Sequence, residues 1–263
     1  MTKAQPRLLV LAGHDPSGGA GVDADREAAS SLGVAADCVV TADTDQDGVR
    51  VSAIRPRAAE LWLQEASNFM RVPAEIRPRA IKSGMLIGAE HVRALIQLAK
   101  LHPELPVVVD PVLSASGGEL FLDDSGLEVL RTELLPLGPI LTPNLPEIAR
   151  LLSISETELV DLDAREAAAF QLLELGATAV LLKGGHAEED PIRDLIVRRG
   201  SPSVWHEHAR VPGRGIHGSG CRYASRVAAG LALGHGLESS ADGAGHYLRA
   251  IIAKAHRSQI SGP

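Results

Sequence analysis

The stretch Leu8-Leu9-Val10-Leu11-Ala12-Gly13-His14-Asp15-Pro16-Ser17-Gly18-Gly19-Ala20-Gly21-Val22 decides the fold. A short Leu- and Val-rich run ends in a glycine-rich loop, and residues 22–32 beyond the loop carry helical periodicity. Strand, glycine turn and helix in that order open an α/β unit. A turn stripped of side chains just before a helix leaves several backbone N–H groups pointing at one spot, where the positive end of the helix dipole also lies. Phosphate fits such a place. A second loop of this kind, Gly215-Ile216-His217-Gly218-Ser219-Gly220-Cys221, leads into residues 220–233, where Ala224, Val227, Ala228 and Leu231 form one apolar stripe. Cys221 then falls in the first helical turn, where a thiolate is most stabilised and can take a proton from a substrate hydroxyl.

The same alternation continues along the chain. Apolar runs at 8–11, 38–41, 80–82, 107–109, 140–142 and 179–182 predict strands, and 22–32, 58–69, 90–101, 124–134, 145–152, 165–175, 220–233 and 239–255 predict helices. The expected fold class is α/β, with a largely parallel central sheet and helices on both faces. Residues 194–197 and 204–208, joined across Arg199-Gly200-Ser201-Pro202, predict a small hairpin at the sheet edge. Five strands end in Gly13-His14-Asp15, Lys82-Ser83-Gly84, Asp110-Pro111, Thr142-Pro143-Asn144 and Lys183-Gly184-Gly185. Ligands of open α/β sheets bind outside the carboxyl ends of the strands, so one crevice is expected to collect all five. No linker-like stretch interrupts residues 1–263, which are read as a single domain.

Composition narrows the function classes. Aromatic residues are 3% of the chain and apolar residues 45%, so the core is built from Leu, Val, Ile and Ala. A net charge of −7, with Lys and Arg scattered, gives no footprint for nucleic acid or an anionic membrane. The first apolar run stops at Gly13, too short for a signal segment or a membrane span, and the expected location is the cytoplasm. Two cysteines, Cys38 and Cys221, provide neither a disulfide framework nor paired metal-ligand spacing. Cys38, in an apolar run, is read as a small core residue.

Gly-Gly-Ala-Gly alone is a common strand-to-helix turn; it lacks the lysine of a Walker A loop and the spacing of a dinucleotide fingerprint. The set of segments is more specific. Residues 12–25, Lys82-Ser83-Gly84-Met85-Leu86, Val108-Val109-Asp110-Pro111-Val112, Thr142-Pro143-Asn144-Leu145-Pro146-Glu147, Val180-Leu181-Leu182-Lys183-Gly184-Gly185-His186 and His217-Gly218-Ser219-Gly220-Cys221 follow one another in an informative order. In order and spacing they resemble the ribokinase-like superfamily and, within it, the hydroxymethylpyrimidine and phosphomethylpyrimidine kinases. The resemblance implies a ribokinase-like fold and ATP- and Mg2+-dependent phosphorylation of 4-amino-5-hydroxymethyl-2-methylpyrimidine, and of its monophosphate, for thiamine biosynthesis. It also implies a homodimer whose partners are the pyrimidine alcohol and ATP. A pyridoxine or pyridoxal kinase of the same branch is the nearest alternative, and a low-activity ligand-binding paralogue is an alternative of another class.

Roles follow residue by residue from the resemblance. Gly218, Ser219, Gly220 and Cys221 would form an anion hole, with the Cys221 sulfur as base. Asn144 and Glu147 match the Asn-x-x-Glu motif that organises Mg2+ and phosphate; the same pair also reads as a helix cap. Asp110 would be a second metal- or phosphate-facing acid, and Lys183 a point charge near the nucleotide phosphates. Gly13, Asp25, Gln46 and Met85 would hold the pyrimidine, through an amide that donates and accepts and a thioether against a flat ring.

Two departures stand out. The segment Asp43-Thr44-Asp45-Gln46-Asp47-Gly48 carries carboxylates where the family has small or apolar residues. It matches the front of a calcium loop but has Ile54 where the closing Glu belongs, and it is read as a solvated turn. Arg222 replaces the family's Thr or Ser, against the helix dipole. It is expected to face the anion site and pair with phosphate, the alternative being a solvent face shared with Arg226.

Overall fold

The computed structural model describes residues 4–46, 51–114, 119–212 and 215–260. Among the described residues nine strands form one sheet: β1 (Arg7–His14), β2 (Ala35–Gln46), β3 (Val51–Pro56), β4 (Pro78–Ser83), β5 (Val107–Val109), β6 (Ile140–Leu141), β7 (Ala179–Leu182), β8 (Ile192–Arg198) and β9 (Val204–His208). Their order is β3-β2-β1-β4-β5-β6-β7-β8-β9, parallel from β2 through β7 and antiparallel at both margins. The expected hairpin is β8–β9, in register from Ile192 opposite His208 to Ile196 opposite Val204.

The central strands are apolar on both faces because helices cover both. Leu9, Leu11, Ile81 and Val109 point into one core, against α2 (Ala59–Met70), α3 (Ala89–Leu101), α5 (Leu145–Leu152) and α6 (Leu162–Glu174). Leu8, Val10, Ala80 and Val108 alternate into the other, against α1 (Gly21–Ser30), α7 (Ser219–Ala232) and α8 (Leu237–Ile260). The period-2 reversal of side chains along a strand makes this division. The expected helix 124–134 is divided into α4 (Asp124–Val129) and a wider π-helical turn, Leu130–Leu134.

One expectation is corrected. Residues 41–46 are not a turn: β2 continues through Gln46 and pairs with β3, a strand absent from the sequence reading. Thr44 is buried while Asp43 and Asp45 face out, and Arg55 on β3 donates to Asp45 at 2.7 Å, holding that carboxyl below its usual range. An edge ribbon with one wet face tolerates charges that pair across strands. Asp47 and Gly48 lie outside the described residues.

Candidate active site

The strand order reverses between β1 and β4, because β1 leads outward to β2 while β4 through β7 run the other way. Such a switch point opens a crevice at the carboxyl edge of the sheet. A cleft of about 1170 Å³ lies there, lined by Gly13, Gln46, Met85, Asp110, Asn144, Glu147 and Lys183 and by Gly218, Ser219, Gly220 and Cys221.

At one end, close approach sets the shape. Thr41 Oγ1 donates to the Met85 carbonyl at 2.6 Å, and a Cβ on Gly13 would fall 2.7 Å from Met85 Sδ. Gln46 Nε2 donates to Thr44 Oγ1 at 2.9 Å, and Thr44 in turn donates to the His14 carbonyl at 2.9 Å. His14 lines the cleft and pairs with Asp43 at 3.1 Å, so Asp43 reaches the site through the imidazole.

The two glycine loops touch. Asp15, buried, accepts from Ser17 N, Ser17 Oγ and Ala20 N at 2.8–2.9 Å, and hydrogen-bonds His217 Nε2 of the second loop at 2.9 Å. Burial alone would raise the Asp15 carboxyl; these bonds more than offset it and hold it below the usual range. Gly21 has φ +60° and no room, since a Cβ would lie 2.1 Å from the Gly13 carbonyl oxygen, whereas Gly18 has φ +70° and open space. Gly21→Ala is therefore expected to cost more than the ~1–2 kcal/mol that left-handed backbone alone imposes on alanine, and Gly18→Ala no more than that amount. Parallel thermal denaturation of the two variants checks this; equal losses would mean that the contact with Gly13 is not constraining.

At the other end lies the mouth of α7. Ser219 N donates to Ile216 O at 3.3 Å and Arg222 N makes the first helical bond, to Gly218 O, at 3.0 Å. Gly220 and Cys221, between them, occupy the positions whose amides a helix leaves without an internal acceptor. A Cβ on Gly220 would stand 3.2 Å from Lys183 Nζ and 3.6 Å from Asp110 Oδ2, so cation and carboxylate both border that mouth. Lys183 Nζ donates to Asp110 Oδ1 at 3.0 Å and lies 3.8 Å from Glu147 Oε2; Thr142 Oγ1 donates to Asp110 Oδ1 at 3.2 Å. Burial would strip the Lys183 charge, but Asp110 and Glu147 hold its pKa above the ordinary value. Asn144 and Glu147 form a complete capping box at the start of α5, each side chain accepting from the other's backbone N–H. Burial, partly opposed by Lys183 and reinforced by Asp110, pushes Glu147 up to about 7.

That donor set fits a hydrated Mg2+. The ion keeps several waters and binds through one or two carboxylates plus substrate phosphates, and the buried Asp110 and the partly buried Glu147 are two acids sharing one lysine. Among the described residues no cluster of three or more acidic, His or Cys side chains could cage a metal directly. Any cation here is held partly by water and substrate.

The thiol corrects a local expectation. Cys221 lies at the helix mouth beside the Gly21 N–H, yet desolvation pushes it up to about 11, with Lys82 opposing and Asp25 and Asp110 adding to the rise. Burial outweighs the dipole. Two other expected site residues are turned elsewhere. Asp25, on the face of α1 shared with Val22 and Ala29, is wholly buried below the cleft, where Lys82 Nζ donates to both its carboxylate oxygens at 2.8 Å and Ser225 Oγ donates to Oδ1 at 2.7 Å. Arg222 is not among the lining residues: its guanidinium pairs with Glu27 at 2.8 Å instead of facing the anion site.

Sequence reasoning missed several lining residues. Lys82, whose strand end was expected at the crevice, borders it as expected, but its pairing with Asp25 was not foreseen. His208, Arg210, Leu248 and Arg249 also line the cleft, contributed by the stretch around the end of β9 and by α8, and no motif marks them.

A helix mouth able to hold a phosphoryl group, with a lysine to neutralise it and room for a second substrate, separates a group-transfer site from a dehydrogenase site on the same kind of sheet. The protein is a phosphotransferase of the ribokinase-like class. Structural comparison agrees: phosphomethylpyrimidine kinase from Clostridium difficile superposes with TM-score 0.78 at 28% identity, covering 94% of this chain and all of that one. Pyridoxal kinase from Staphylococcus aureus in complex with ADP superposes with TM-score 0.84 at 26% identity, covering 95% and 89%. The chain belongs to the phosphomethylpyrimidine kinase family, which matches residues 15–262. The hydroxymethylpyrimidine/phosphomethylpyrimidine kinase of Streptomyces coelicolor is 37% identical over 248 residues, 94% of this chain and 88% of that protein.

Proposed function

We propose that the protein transfers the γ-phosphoryl group of ATP to the hydroxymethyl group of 4-amino-5-hydroxymethyl-2-methylpyrimidine, and then phosphorylates the monophosphate, in thiamine biosynthesis. The observation that supports this is the single cleft lined together by Cys221, by Gly13, Gln46 and Met85, and by Lys183 and Asp110. Gln46 and Met85 bind the aminopyrimidine edge and ring face. The Cys221 sulfur, as thiolate, takes the hydroxymethyl proton while the oxygen bonds to the γ-phosphorus and the bond to the bridging oxygen breaks, releasing ADP. The Gly220 and Cys221 amides and Lys183 meet the charge on the moving group. Asp110 and Glu147 would hold Mg2+, which when bound neutralises phosphate charge. Family resemblance supports a homodimer. No described helix is long and apolar enough to cross a membrane.

A second reading is supported by the superposition on pyridoxal kinase, whose TM-score of 0.84 exceeds the 0.78 of the pyrimidine kinase structure. Coupled assays of ATP consumption across pyrimidine and pyridine alcohols separate the two. Faster turnover of the hydroxymethylpyrimidine is expected. Preference for pyridoxal would reject it, and ligand binding without turnover of any alcohol would identify a binding paralogue.

A further inference from the structure

Arg222 follows Cys221 directly, in a helical turn where the dipole disfavours a cation. Its partners explain its presence. Nη1 donates to the Gly19 carbonyl at 2.6 Å and to the His217 carbonyl at 2.9 Å, while Nε and Nη2 donate to Glu27 Oε2 at 3.1 and 2.8 Å. Gly19 belongs to the first glycine loop, His217 to the second and Glu27 to α1. The Arg222 side chain is 11% exposed although the Glu27 side chain is 58% exposed, and the fork's bonds to Gly19 and His217 place it between the loops with the carboxylate holding it from outside. Gly218 leaves space for this: a Cβ there would fall 2.3 Å from the Gly19 oxygen and 2.9 Å from Arg222 Nη1.

We propose that Arg222 is a positioning residue that fixes the register of the two glycine loops, keeping the Gly220 and Cys221 amides and the Cys221 sulfur in place against the loop of residues 13–21 during phosphoryl transfer. The proposal rests on the kinase reading of the cleft. Arg222 acts through main-chain carbonyls, without touching phosphate. A planar fork satisfies two carbonyls and a carboxylate at once, which a lysine ammonium on a flexible stem does not reproduce. Misplacing a reacting group by about 1 Å costs on the order of a hundredfold in rate, and that is the scale at which loop register matters.

Steady-state kinetics and amide hydrogen exchange test it on the full chain. Arg222→Ala is expected to lower kcat by about 30- to 100-fold while the KM for ATP stays within about twofold, and Arg222→Lys to recover only part of the loss. Exchange of the amides of Asp15 and of residues 17–20 is expected to quicken in both variants. The His217→Ala variant, which removes the other tether to Asp15, is expected to couple with Arg222→Ala in a double-mutant cycle rather than add to it. An ATP KM raised about tenfold or more at unchanged kcat would make Arg222 a phosphate ligand and overturn the proposal. Unchanged kcat and unchanged exchange would overturn it too. If Arg222→Ala does not fold, wild-type kcat and exchange in Arg222→Lys do the same. Failure of the kinase reading is separate: the wild-type protein would then turn over no alcohol, and the exchange comparison alone would decide the role of Arg222.

Discussion

Replacing Cys221 with alanine is expected to lower kcat by about 10²- to 10⁴-fold, the range for loss of a positioned general base, and to leave the KM for ATP within about twofold. The split follows from position. The sulfur stands at the mouth of α7, while the cation proposed to meet ATP is Lys183, paired with Asp110 and near Glu147. With the thiol pushed up to about 11, the sulfur carries its proton at rest near neutral pH. The thiolate is then about one part in ten thousand at pH 7 and grows about tenfold with each pH unit. The sign is fixed: deprotonation makes the active form, so kcat/KM is expected to climb with pH from 7 to 9 and not to fall. The Cys221→Ala enzyme should show a residual rate without that slope. A loss below about threefold on substitution would remove the sulfur from proton transfer, and a flat wild-type profile over this range would mean that the thiol is not held above its ordinary pKa when substrates are bound.

Where the local pattern agreed with long-range packing, the chain could be read before folding. Leu8, Leu9, Val10 and Leu11 serve two cores at once, and a continuous apolar run between a turn and a glycine loop is what such a strand needs. The ends of five strands meet in one cleft for the same reason. What escaped depends on partners far along the chain. Asp43 and Asp45 read as a turn because charges favour solvent, but Arg55 sits opposite on β3 and lets them remain in a strand. Arg222 read as a phosphate ligand because a lone cation at a helix start calls for an anion; Glu27, 195 positions away, supplies one and the loop carbonyls complete the set. Cys221 read as an activated thiolate because the dipole is visible locally and desolvation is not. In each case a tertiary contact outweighed a local rule.

The same lesson sets the largest expected stability change, at Asp25. Lys82 and Asp25 are both fully buried, and Lys82 Nζ lies 2.8 Å from each carboxylate oxygen. Burial would neutralise the lysine, but Asp25, helped by Cys221 and Asp110, more than offsets it and holds the Lys82 pKa above its ordinary value, while the same burial, opposed by Lys82 and Ser225, raises the Asp25 carboxyl. The pair survives as an ion pair, with Ser225 Oγ donating the third bond to the acid. Asp25→Leu leaves a buried ammonium without its counter-ion, which is expected to cost about 3–5 kcal/mol and to lower Tm by roughly 10 °C in a chain of this size. Lys82→Met leaves the acid unpaired and should cost a similar amount. Combining Asp25→Leu with Lys82→Met removes both desolvation penalties and fills the space with apolar atoms, so the double variant is expected to be more stable than either single one. Calorimetry of the three proteins distinguishes this from ordinary packing loss. If the two single losses simply add, the buried charges act independently, and the ionic account of this layer beneath the cleft is wrong.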